Sequence, residues 1–553
     1  MRRAHNESCI VSAMNTLRAL VMGIAVLCVL SCSGQPQSHT TVPLPPSAPP
    51  TTSSALATVQ RHVDAPGIDW FGGEVSGAFA AAKDAHKPIL LYWGAKWCPP
   101  CQQLKSTVFS RPDFIAKSRL FVPVYLDGDD VGAQKWGEQF RVAGYPTVVV
   151  LDSERRELMR IAGGMDLSQY ATVLDTALAD LQPAEAVLTT VSAGGALTMA
   201  NCRRLAFNSW ELPDATDTVA SAKLAQQIEA AVAHCPTGAG VERARLTVYA
   251  ASFATRAEAE SLKNKHPPSP ALIANVRSVN QVLLNERIAV TVSDTLQGLN
   301  EQFFTAVKAT GSSAAPWLGR FVKVMDATAS DPSFAEADQL GAVGSKLLAI
   351  KTINGTVPAG VARAANARVA GALAANQIPY VRSGIIDAVL PIFQVLGQND
   401  QAYKVVQGEL AKTATPYYYT ADLGDLAEGL GHKDEAVKWF SEGYAEAVGP
   451  ATRFQWGQLY AASLLRLQPD DASRIGAVTA QVLGELDGPD RIYRRARIRL
   501  ERLDKALRKW STDHKGAHHE VIVALRARMQ EICARVPPAE PARASCDAFL
   551  AGA

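Results

Sequence analysis

One pentapeptide, Trp97-Cys98-Pro99-Pro100-Cys101, constrains the fold around it more than any other part of the chain. An apolar run of strand length, PILLYWG (88–94), leads into it, and QQLKSTVF follows with helical composition. Two cysteines separated by two residues can be a working dithiol, a structural disulfide or half of a zinc site. Zinc wants four ligands, and the chain offers a single CxxC with only a lone histidine, His86, nearby. A structural disulfide stays open wherever the compartment oxidises thiols. The working dithiol rests on local physics. Cys98 would sit at a helix N-terminus, where free N–H groups and the helix dipole favour an anion. That stabilises the thiolate, which is the nucleophile. Pro99 falls at or near the first helical position, where proline loses no needed hydrogen bond. Cys101 comes one turn later on the same face, placed to attack a mixed disulfide on Cys98 and release the substrate.

The flanking pattern alternates helix and strand. EVSGAFAAAKDAHK (74–87) reads as a helix, LFVPVYLDG (120–128) as a strand and VGAQKWGEQFRV (131–142) as a helix. GYPTVVVLD (144–152) and RELMRIAG (156–163) read as a strand pair. Asp166 and Gln169 form a capping-box-like start to a last helix, with Leu167, Tyr170, Leu174, Ala177, Leu178 and Leu181 largely on one face. This is a small α/β sheet with helices on both faces.

W-C-x-x-C at the mouth of a helix after an apolar strand, with Tyr145-Pro146-Thr147 before a later strand, resembles the thioredoxin family. The text KPILLYWGAKWCPPCQQLKSTVFSRPDF is similar to the thioredoxin-like domains of periplasmic disulfide reductases. The resemblance covers residues 67–183. It implies thiol–disulfide exchange with protein thiols or disulfides and a redox partner protein, with no cofactor and no metal. Cys98 would attack and Cys101 resolve. Pro146 matches the family's cis-proline, beside which Tyr145 would pair with an extended substrate segment; an ordinary trans proline opening a strand is the alternative. Trp97 would shield the site and Lys96 add positive field. One position departs from the family: Tyr92 stands six residues before the first cysteine, where a buried acid is common.

The N-terminus reads as targeting. Arg2, Arg3 and Arg18 precede the apolar run 19–30, which suits a secretory signal and is too short to span a membrane. Met14 is an equally good start. Val29-Leu30-Ser31-Cys32 resembles the lipobox of bacterial lipoproteins, which implies a lipidated Cys32 and, with Ser33 next, an outer-membrane tether. Plain cleavage to a periplasmic protein is the alternative. Residues 1–32 are thus signal and anchor, and 33–66 a Pro/Ser/Thr-rich linker that cannot bury a core. A net charge of +2 gives no argument for nucleic acid as a partner. Of nine cysteines, six follow Cys32, and an even number in an oxidising compartment invites disulfides. Sequence proximity pairs Cys202 with Cys235 and Cys533 with Cys546; buried free thiols remain the alternative.

Residues 184–553 are Ala/Leu-rich with helical spacing. LGQNDQAYKVV (396–406) and LGHKDEAVKWF (430–440) align at an offset of 34, and LQPDDASRIGAV (467–478) is a degenerate third unit. The resemblance is to tetratricopeptide repeats, around 380–480, which usually bind peptides or proteins in a groove; a scaffold without a ligand is the alternative. The fold expected is therefore a thioredoxin-like α/β domain followed by an all-α helical-repeat domain. In 491–510, apolar positions three and four apart give an amphipathic helix with a basic face, solvated or turned to headgroups or an acidic partner. His514 and His518, spaced i, i+4 beside His519, carry a weak metal signal broken by Gly516.

Overall fold

The computed structural model describes residues 67–552, apart from positions 131, 164–166, 193, 213–215, 377 and 489–490. The signal, the Cys32 anchor, the linker and Asp166 of the capping box lie outside the described residues.

Four strands form one sheet: β1 (Ile89–Gly94), β2 (Val122–Asp127), β3 (Thr147–Leu151) and β4 (Glu157–Ala162), in the order β2-β1-β3-β4. β1 runs parallel to β2 and antiparallel to β3, and β3 and β4 are a hairpin. β1 is apolar throughout because both faces are covered. Its side chains alternate between two cores. Ile89, Leu91 and Trp93 meet Val75, Ala78, Phe79 and Ala82 of α1 (Val75–Ala85). Leu90 and Tyr92 meet Leu104, Val108 and Phe109 behind the cysteines, with Tyr170, Val173 and Leu174 of the last helix of the domain.

Four helices complete this domain: α2 (Pro99–Leu104), α3 (Pro112–Ser118), α4 (Ala133–Gln139) and α5 (Leu167–Ala179). α2 runs on into a π-helical turn, Lys105–Phe109. α3 was not expected from the sequence; Arg111-Pro112 ends one helix and Pro112 opens the next at its first turn. α4 is shorter than the helical pattern of 131–142, since it opens only after Gly132 in the left-handed region, φ 76°. Leu181 departs too: α5 ends at Ala179, which leaves that side chain exposed.

Both sheet edges carry hydrogen bonds from neighbouring segments. The Phe71 N–H bonds the Pro123 carbonyl beside β2 at 2.8 Å. Along β4, Asn208 Oδ1 accepts the Arg160 N–H (2.9 Å), and Ser209 donates to the Arg160 carbonyl (2.9 Å) while its hydroxyl accepts from Ala162 (3.0 Å). Pairing of this kind blunts an edge against another strand.

From Ala184 to Ala548 every described element is helical. The repeat signal falls on consecutive helix pairs: Pro379–Leu396 with Asn399–Gln407, Tyr417–Gly429 with Lys433–Glu446, and Pro450–Leu467 with Ala472–Gly484. Gly397 (φ 72°) and Gly431 (φ 85°) make the first two turns in the left-handed region, which glycine enters without a Cβ clash. Ala402 and Ala436 are buried where the paired helices touch. The third turn uses no such glycine; Asp471 caps it by accepting the Arg474 N–H at 3.0 Å.

The basic helix, Arg494–Asp513, corrects an expectation. Its first arginines do not face solvent but dock on the α/β domain: the Arg494 N–H and the Arg497 guanidinium both bond the Glu138 carboxylate. Farther along, Arg502, Lys505 and Lys509 are exposed. His514 and His518 flank Trp510, the His518 ring stacking on it at 4.9 Å. Among the described residues no group of three or more His, Cys, Asp or Glu is arranged to hold a metal, and no helix is long and apolar enough to cross a membrane.

Candidate active site

Cys98 is the N-cap of α2, with extended backbone (φ −83°, ψ 108°), and Pro99 is the first helical residue. The Cys98 Sγ accepts the Cys101 N–H at 3.2 Å, as an N-cap side chain does. Cys98 and Cys101 are joined as a disulfide, their Cα atoms 5.2 Å apart. Tyr145-Pro146 is a cis peptide. The edge of the Tyr145 ring faces Trp97 at 5.8 Å, so Trp97, the CxxC turn and the proline loop converge.

Two acids that sequence reasoning missed organise this turn. Asp127 ends β2 opposite Gly94, buried; its carboxylate accepts the N–H of Lys96 and of Asp129, each at 3.0 Å, and lies 3.3 Å from the Tyr125 hydroxyl. Asp129 accepts the Trp97 indole N–H at 3.0 Å. Burial raises the Asp129 carboxyl above the ordinary carboxylate range, and hydrogen bonds from Thr452 and Trp97 only partly offset it. The run LDGDD at the end of a strand adjoining β1 was the available signal. Behind the cysteines, Tyr92 stacks on Tyr125 at 5.2 Å and meets the Phe109 edge at 4.9 Å. The buried Lys105 ammonium lies 5.1 Å from the Tyr125 ring centre, a cation–π arrangement. The Tyr125 phenol is held protonated, by burial first and then by Asp127. An aromatic stack thus fills the place where the family often has an acid.

The family model of the thioredoxin-like domain matches residues 75–178. Those residues form a thioredoxin-like domain. A solved structure titled DsbH oxidoreductase aligns at 22% identity over 23% of this chain and 94% of its own, with a TM-score of 0.18. No curated protein matches the chain in sequence.

The helical region closes over the thioredoxin-like domain at this site. The Thr415 hydroxyl donates to the Trp97 carbonyl at 3.3 Å. The Trp97 ring meets Trp456 edge-on at 5.2 Å, with Tyr417 and Tyr418 at 6.5 and 6.4 Å. Arg495 stacks on the Tyr145 ring at 4.0 Å and donates to the Ala143 carbonyl at 3.2 Å. Helix Pro379–Leu396 packs on α2, and within the α/β domain's own apolar cluster Cys98 is 2% exposed and Cys101 0%.

The other cysteines lie far along the chain, in the helical region. Cys202, in helix Met199–Phe207, is bonded to Cys235 at the end of Thr218–His234. Cys533, ending His519–Cys533, is bonded to Cys546 in Pro541–Ala548.

Proposed function

We propose that the chain is a thiol–disulfide oxidoreductase acting on protein thiols or disulfides through Cys98 and Cys101. The observation that carries this is the Cys98 Sγ at the N-cap of α2, with Cys101 one turn on. In the reducing direction the Cys98 thiolate attacks one sulfur of a client disulfide, and the other leaves as a thiolate that takes a proton. The Cys101 thiolate then attacks Cys98, closing the Cys98–Cys101 disulfide and freeing the second client thiol. Two electrons pass to the client, and a dithiol redox partner restores them. Run backwards, the same steps oxidise a client. Trp97 and the Tyr145-Pro146 loop align the substrate segment. The setting proposed is the bacterial periplasm, with tethering to the outer membrane through lipid on Cys32; replacing Cys32 by Ala is expected to release the protein from the membrane fraction.

The deciding experiment is the equilibrium reduction potential of Cys98–Cys101, with the other cysteines tracked by peptide mass mapping. A value of about −270 mV marks a reductant, and one of about −120 mV an oxidant. A pair that does not exchange across that range removes the oxidoreductase reading. A second reading, a binding or scaffold protein with a redox-inert thioredoxin-like domain, is favoured by one observation: both cysteines are buried.

A further inference from the structure

A thiol that exchanges with a protein disulfide must meet it in line, sulfur to sulfur, so its outer face has to be reachable. Cys98 is 2% exposed, and Trp97 beside it is covered by residues more than three hundred positions away. Trp97 packs against three apolar clusters at once, one in the thioredoxin-like domain and two in the helical region. Asp129 couples that indole to a helix it does not belong to. The Pro450–Leu467 helix has Gly449 as its N-cap, which has no side chain to satisfy the first-turn donors. The Asp129 carboxylate does so instead, accepting the Thr452 N–H at 3.0 Å and the Thr452 hydroxyl at 2.6 Å. One oxygen of that carboxylate also takes the Trp97 N–H, so the residue preceding the cysteine and the start of a distant helix share one acceptor. From a second helix, Arg495 lies over the Tyr145 ring.

We propose that the helical region is a gate over the dithiol, latched by Thr452, Trp456 and Arg495, and that these residues decide what reaches Cys98. Small thiol reagents enter through local motion. A protein disulfide reacts only after the helices bearing these residues, together with the Pro379–Leu396 helix packed on α2, lift from the α/β domain. The apparent rate with a protein client is then the intrinsic rate reduced by the fraction of open molecules. This inference rests on the oxidoreductase reading for its consequence, but the gate is measurable without it.

The test uses the full chain, reduced, with alkylation of Cys98 followed by peptide mass mapping. N-ethylmaleimide and a polyethylene-glycol maleimide carry the same reactive group at different sizes, and their rate ratio in denaturant gives the open reference. In the wild type the bulky reagent should lag far behind that reference. The double variant Thr452→Val, Arg495→Ala should close the gap by at least about fivefold, the effect of losing roughly one ordinary contact. Trp456→Ala should do more; the milder pair keeps the test sound if loss of that buried ring unfolds the region. A wild-type ratio equal to the denatured one, unchanged in the variant, overturns the gate and leaves the oxidoreductase reading standing. If the variant exposes Cys98 yet exchanges no thiols with insulin disulfides, the gate stands and the oxidoreductase reading falls.

Discussion

The helical region and the domain junction both bury a cystine, but they surround it differently. Cys202–Cys235 and Cys533–Cys546 fasten helix ends within apolar clusters of buried helical-region residues, the second of which also receives Trp97 at its margin. Cys98–Cys101 fastens nothing distant; it spans a single turn at the mouth of a helix. It lies in the α/β domain's own apolar cluster, and Trp97 beside it is covered by an interface of aromatic edges, a borrowed helix cap and arginine contacts. Burial by a continuous core removes a disulfide from chemistry. Burial by a separable layer leaves the chemistry intact and makes it conditional.

The sharpest way to break this comparison is to remove one cysteine from each setting. Cys98→Ser is expected to abolish thiol exchange with any protein disulfide, read by insulin reduction, while costing at most about 2 kcal/mol because so short a loop restrains the unfolded chain little. Cys202→Ser should preserve exchange and cost about 4 kcal/mol in denaturant unfolding, since that bond, at sequence separation 33, closes a longer loop. Cys533→Ser, at separation 13, should cost about 3 kcal/mol. Exchange surviving in Cys98→Ser would collapse the distinction.

How far each region was legible follows from the range of its interactions. The strands and α2 came from local pattern: an apolar run both of whose faces are buried, and a cysteine followed by proline at a helix start. The glycines at 397 and 431 came from a repeat that the turn geometry explains. The cover over the dithiol was not legible. Thr415 meets Trp97 across 318 positions and Thr452 meets Asp129 across 323, and no period or spacing encodes such pairs. Arg494, Arg495 and Arg497 looked like a solvated face because the partner surface, Glu138 and Tyr145, belongs to the other domain. Tyr92 was legible as a departure, but its stack with Tyr125 and Phe109 appears only when β1 and β2 are side by side.

A smaller perturbation sharpens the contrast at one atom. Gly449 adopts φ 88° and ψ 144°, a conformation close to one that only glycine tolerates, and the Asp129 carboxylate occupies the space a Cβ would need. Gly449→Ala is expected to cost about 1–3 kcal/mol. Because the strain falls on the borrowed cap, that loss should appear as faster labelling of Cys98 by the bulky maleimide. An equally large effect confined to global unfolding, with labelling unchanged, would mean that the interface is as continuous as a core.

The smallest effect concerns pH and turns on the sign of one shift. Burial raises the Asp129 pKa in the closed state, so its carboxylate is disfavoured there relative to an open state in which water reaches it. Closing therefore binds protons between the ordinary carboxyl pKa and the raised one, and the closed state loses stability as pH rises through that window. Below the window the contribution is fully present; above it the loss is complete and flat. The groups facing Asp129 are Asp127, which adds to the upward shift, Thr452 and Trp97, whose hydrogen bonds oppose it, and the phenols of Tyr145 and Tyr417. Hydrogen exchange at the Thr452 amide, corrected for the intrinsic pH dependence, should show more protection on the acid side of the window than above it. The Asp129→Asn variant removes the titrating group, so its protection should be independent of pH there. Amides near Cys202–Cys235 should show no such dependence, because the bond there is buried among apolar residues of a single region. The opposite slope at Thr452 would mean that the charged carboxylate, held by its three donors, is what keeps the layer shut.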